Sequence, residues 1–216
     1  MPEQLIRRRQ SLGTDESGLA LIEFAFMAPI FLFFGLAGLE FTQVMLAHQK
    51  TERVAATVAD QVASNIVPPN ERQIGDLFQG AELIARPYDL ANGGSVIITA
   101  VIGIIDNDTG ELQNKVAWQR CQTPDGNPSA IGTQWTGSTD IADGPDVGLP
   151  QDIELAQNHM VIVSEVFLQY DPMINLDYLP TLAANGGLFT ETSVFRTRGS
   201  PIMNVTPFPG VPEHTC

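Results

Sequence analysis

Histidine, tyrosine, tryptophan and cysteine are all scarce, at 3, 3, 2 and 2 in 216 residues. Two cysteines cannot build a four-thiolate zinc site or a disulfide-dense scaffold. His48, His159 and His214 stand far apart, and no H-E-x-x-H, nucleophile elbow or phosphate loop occurs. Folding can still gather Ser, His and Asp, so these absences argue against an enzyme without excluding one. The expectation is a protein with no catalytic residues, no cofactor and no metal. Basic residues are few as well, 11 against 25 acidic ones, for a net charge of −14. A nucleic-acid binder needs cations to displace phosphate counterions, so that class is set aside. With 44% hydrophobic and 17% charged residues, wholesale disorder is excluded. The length suits one domain with an appendage.

What is present is distributed unevenly. The first 18 residues are polar and include Arg7, Arg8 and Arg9. Leu19 to Leu39 (LALIEFAFMAPIFLFFGLAGL) is apolar except for Glu23 and Pro29. At ~1.5 Å per residue this stretch reaches ~30 Å, about one hydrocarbon core. The arginines precede it, so the positive-inside rule puts residues 1–18 in the cytoplasm, 19–47 in a transmembrane helix segment and 48–216 outside the cytoplasm. From Lys50 onward the chain carries 8 basic and 20 acidic residues, most of the total charge. A cleaved secretory signal peptide and an uncut signal anchor are the competing readings. The leader and the apolar run are both long for the former.

Glu23 is the anomaly, because a carboxylate near the middle of a membrane helix costs about 2.5–3.5 kcal/mol and less near an end. A position close to the interface, within reach of water, would explain it without any function. A cut after Gly18 would place a new amino group on Leu19, one helical turn from Glu23. That cation on one subunit would meet the carboxylate of a neighbour, each offsetting the other's desolvation. Pro29 removes one backbone donor and predicts a kink.

Gly18-Leu19-Ala20-Leu21-Ile22-Glu23-Phe24 resembles the processing site of type IV-like prepilins, with its basic leader, its Gly at the cut and its Glu at the fifth mature position. More closely, Glu16 to Ser64 is similar to the TadE-like family, minor pilins or pseudopilins of tight-adherence (Flp) pilus machines. The resemblance rests on Gly18, Glu23-Phe24-Ala25, Pro29 and a small-residue-rich apolar helix with an Ala-rich continuation. It implies cleavage between Gly18 and Leu19 by a prepilin peptidase. It also implies a bacterial inner-membrane location and a pilin-like α+β fold. The partners it implies are other minor pilins, the major Flp pilin, an inner-membrane assembly platform and membrane lipid. The rival function is an uncleaved bitopic protein whose external domain binds a ligand or an envelope component.

Val44, Ala47, Thr51, Val54, Ala55, Val58, Ala59, Val62, Ala63 and Ile66 recur at 3-4 spacing, which predicts an amphipathic continuation of one helix from about Leu19 to Ile66. A break near Glu40 to His48 is the alternative. Pro68-Pro69 ends the run. Asn70 with Gln73 opens a second helix near Glu71 to Ala85, weakened by Gly75 and Gly80. Ser95–Ile105, Glu111–Cys121, His159–Tyr170 and Gly187–Arg198 read as four strands of an antiparallel sheet, one face of which packs on the helical stripe. The fold class expected is α+β, a long N-terminal helix on about four antiparallel strands.

Asp106-Asn107-Asp108-Thr109-Gly110 reads as a hairpin turn that faintly echoes a calcium loop. Gln122 to Gln151 is loop-rich, either functional or mobile, with Trp135 as an anchor or a contact residue. Asp140, Asp143 and Asp146 read as acidic surface or, less well, a cation site. Glu165 is expected at a sheet edge or solvent face. Cys121 and Cys216 are candidates for a bridge that would tie down the proline-rich tail, or for free or intermolecular thiols.

Overall fold

An unbroken apolar run followed by a 3-4 stripe has one low-cost solution, a single helix. In the computed structural model this is α1 (Leu19–Ala63), continuous through Pro29 and through Glu40 to His48. The structure describes residues 18–123, 126–137, 140–172 and 187–216, so the leader expected at the N-terminus lies outside them apart from Gly18. Two compact units divide the chain, Met1–Gln43 and Val44–Cys216.

In the first unit α1 exposes almost every large apolar side chain, among them Leu21, Phe24, Phe26 and Phe31. In the second unit the stripe is buried from Ala47 through Val54, Ala55, Val58 and Val62 to Ala63. The helix stops there, short of the expected Ile66, which is 81% exposed. The reason is local. Asn65 N–H turns back to Val62 O in a tightened last turn, and Ala63 O is taken by the Arg198 N–H at 3.1 Å. That carbonyl is no longer free to accept from a next turn, and Pro68 and Pro69 have no donor to offer.

A second helix, α2 (Glu71–Ala85), starts with a complete capping box: Gln73 N–H donates to Asn70 Oδ1, and Asn70 N–H donates to Gln73 Oε1. A one-turn helix, α3 (Leu90–Gly93), leads into the sheet. Strands β1 (Gly94–Ile105), β2 (Leu112–Cys121), β3 (Met160–Gln169) and β4 (Leu188–Arg196) pair antiparallel in the order β2-β1-β3-β4. The protein is thus α+β, with a long N-terminal helix packed on a four-stranded antiparallel sheet.

One face of the sheet carries Val96, Ile98, Ala100, Trp118, Ile162, Val166 and Leu168 into the core formed with α1 and α2. The other face carries Val101, Val116, Val161 and Val163 against Ile131, Val147, Leu149 and Leu155. The loop-rich segment after β2 therefore serves as a lid over the second face. Burial on both faces explains why β1 reads as a continuous apolar run instead of an alternating one.

Candidate processing junction and carboxyl-terminal clasp

The junction comes first in the chain. Gly18 O accepts the Ile22 N–H at 3.2 Å, so the ladder of α1 opens at the residue expected to precede the cut. Leu19 and Glu23 are exposed one turn apart on α1. Among the described residues, a side chain at Gly18 would meet nothing within 4 Å. Packing therefore gives no reason for glycine at this position. Leu19–Ala63 is, among the described residues, the one helix long and apolar enough to cross a membrane, with a mean hydropathy of 2.2 in its best window.

The clasp lies in the second unit, at the start of α2 and the end of β2. Cys121 and Cys216 are joined in a disulfide, with Cα atoms 5.0 Å apart. Beside it, Glu71 is wholly buried and receives Arg120 Nε at 2.7 Å and the His214 backbone N–H at 3.3 Å, with His214 Nδ1 at 3.2 Å. Burial pushes the Glu71 carboxyl up, but the bonds from Arg120 and His214 outweigh it and hold the group below its ordinary value. The His214 ring meets Phe78 edge-on at 5.4 Å and fills the space over Gly75, where a Cβ would come within 3.4 Å of it. That is ordinary van der Waals contact, so the closure of the tail over α2 would also admit an alanine at Gly75. Further along the tail, Ile202 is buried and its carbonyl accepts Trp118 Nε1–H at 2.7 Å. Thr206 bonds Pro69 and Glu71 through its backbone.

At the β1–β2 turn, Asp106 accepts Lys115 Nζ at 2.6 Å, the Thr109 N–H at 2.8 Å and the Asp108 N–H at 3.1 Å. Lys115, assisted by the Thr109 N–H, holds the Asp106 carboxyl well below the usual carboxylate range. Lys115 is fully buried and also reaches Gln113 and the Gly144 carbonyl. The five residues form a hairpin turn in which the Asp106 carboxylate is engaged by its own turn and by Lys115. Asp140 and Asp143 accept from Asn107, and Asp146 accepts from the Asn114 N–H. Among the described residues no group of His, Cys, Asp or Glu is placed to hold a metal ion.

One expectation here needs correction. Glu165 is not at an edge or in solvent; it is 1% exposed on β3 and accepts from Ser129 Oγ and the Ala130 N–H. Strand β3 is flanked by β1 and β4, so its side chains are enclosed, and the carboxylate instead anchors the covering loop. Trp135 is 39% exposed, lying against Gly137 and Gly144, while the buried tryptophan is Trp118. The three histidines stay apart: His48 pairs with Glu191, His159 meets Arg196, and His214 meets Glu71. Glu71, Arg120 and Lys115 went unremarked in the sequence. A cation inside a run read as a buried strand demands an anion, and that signal was available in Lys115 and Arg120.

These features define an α+β protein with an apolar N-terminal helix and a disulfide-clasped second unit. Residues 18–60 match the model of a family described as TadE-like protein. No curated protein and no solved structure matches the chain.

Proposed function

We propose that the chain is a TadE-like minor pilin or pseudopilin, a membrane-anchored structural component of a Flp-type (tight-adherence) pilus machine. The observation that carries this reading is a coincidence at one peptide bond. The TadE-like match begins at Gly18, α1 begins at Leu19, and the resemblance of the sequence to prepilin processing sites implies a cut between them. Among the described residues nothing packs where a Gly18 side chain would lie, which is compatible with a peptidase that selects glycine there.

In this mechanism the chain is a substrate and a building block, not a catalyst. Residues 1–18 are a cytoplasmic leader, 19–47 the membrane segment and 48–216 the periplasmic domain. The prepilin peptidase removes the leader, Leu19 supplies the new ammonium, and Glu23 of a neighbouring subunit neutralises it. The apolar helix stores the subunit in the inner membrane and later packs among other helices; its side chains leave lipid and not water, so close packing and the Leu19–Glu23 charge pairing drive that step. Its partners are other minor pilins, the major Flp pilin and the inner-membrane platform. The disulfide agrees with an oxidising compartment for the second unit.

N-terminal sequencing of the chain extracted from membranes tests the proposal. Leu19 is the expected first residue in cells with an active prepilin peptidase, and the leader is retained in cells without one. An intact leader in both overturns it.

A further inference from the structure

The two edges of the sheet are treated differently. Along the outer edge of β2 the backbone is occupied: Cys121 N–H donates to His214 O, Asn114 O accepts the Val147 N–H, and the Asn114 N–H reaches Asp146. Gln134 takes the Gln119 N–H. Strand β4 ends the sheet on the other side and pairs with β3 alone. Among the described residues, no backbone group bonds its outer edge.

Which groups are free follows from the register. The Tyr170 N–H donates to Gly187 O at 2.8 Å and the Thr197 N–H to Met160 O at 3.1 Å, at the two ends of an unshifted ladder. With a strand's period of two, the odd positions turn their backbone groups toward β3. Leu188, Thr190, Thr192, Val194 and Arg196 therefore direct N–H and C=O outward. This nine-residue edge carries no Pro, no Lys and no bulge, three of the devices that blunt an open edge, and its charged residues are Glu191 and, at its last position, Arg196.

We infer that the outer edge of β4 is a docking site for one extended strand of a different polypeptide, with a cation at its centre. Side-chain chemistry specifies the occupant. On the side of the sheet that faces α1, β4 presents Phe189, Glu191 and Phe195, all partly exposed. An antiparallel strand covers them with two large apolar residues flanking a Lys or Arg set opposite Glu191. The strongly acidic sequence after Lys50 attracts such a cationic strand from solution.

A second copy of the chain is a poorer occupant. The helix α1 runs beside β4 in the same sense, with His48 on Glu191 at 3.0 Å and Ala63 O on the Arg198 N–H. Antiparallel pairing of two β4 strands would set their α1 helices against each other. A second copy is also itself strongly acidic, so it is repelled where a cationic strand is attracted.

The test uses the full chain in lipid nanodiscs and a nine-residue acetylated peptide, EFTSTKTFT, built to this pattern. Without peptide, hydrogen exchange at Thr190, Thr192 and Val194 is expected to be fast beside Glu191, Ser193 and Phe195. Saturating peptide should slow those three amides by roughly tenfold or more. Replacing the peptide's Lys with Glu should weaken binding by about fivefold. Thr192→Pro and Thr190→Pro each remove an outward N–H while sparing the β3 ladder, and both should abolish binding with the melting transition retained. Three results overturn the inference: outward amides as protected as the inward ones before peptide is added, peptide binding indifferent to both proline variants, or self-association of the chain that protects the same amides.

Discussion

Glu71 is the residue on which the second unit turns. It is wholly buried, and it ties α2 to β2 through Arg120 and to the tail through His214. Removing one partner of a buried pair leaves the other uncompensated, at a cost of about 3–5 kcal/mol. Glu71→Ala is expected to lower stability by that amount in urea unfolding, with Glu71→Gln less damaging because it can still accept from Arg120. At the other end of the chain, Gly18→Leu meets no steric obstacle among the described residues. Its expected effect is confined to maturation: the variant stays in the membrane and shows no gain in gel mobility. Glu23→Ala should insert and mature normally but assemble poorly, and unchanged piliation would remove the counter-charge from the mechanism.

Among the elements, the helices and strands were nearly all legible in the sequence. Their limits are set by local chemistry: the Asn70–Gln73 box for α2, β-branched runs for β1 and β3, and turn residues between β1 and β2. What escaped was set by distant partners. The end of α1 depends on Arg198, 135 residues away in sequence, capturing the Ala63 carbonyl. The covering loop looked structureless because Ile131, Val147, Leu149 and Leu155 follow no period, each being placed by the sheet beneath it. Glu165 was misread for the same reason, since its partners Ser129 and Ala130 belong to that loop. The tail is the element most exposed to a simple perturbation. Cys121→Ser with Cys216→Ser should cost up to ~4–5 kcal/mol for a closed loop of this length. Loss of the Trp118–Ile202 bond should accompany it as a red shift in tryptophan emission on partial unfolding.

Over the whole molecule, acid is the condition that strains the structure. Glu71 and Asp106 both have carboxyl groups held below their ordinary values, so the folded state binds their protons less readily than the unfolded state. Their stabilisation is complete above the ordinary carboxylate range, about pH 4–5, and is lost as the pH falls through that range toward the folded values. The urea midpoint is expected to be flat near neutrality and to drop below about pH 5. In Glu71→Gln that drop should be shallower, and an unchanged acid limb would assign the proton uptake elsewhere.

The bond between Cys121 and Cys216 also makes a covalent ring of everything between them, a circuit that takes in β3, β4 and the covering loop. A protease that severs one peptide link anywhere in that circuit opens a gap without releasing a fragment. Such a nicked molecule should migrate as a single species until a thiol reductant is added, and only then part into two.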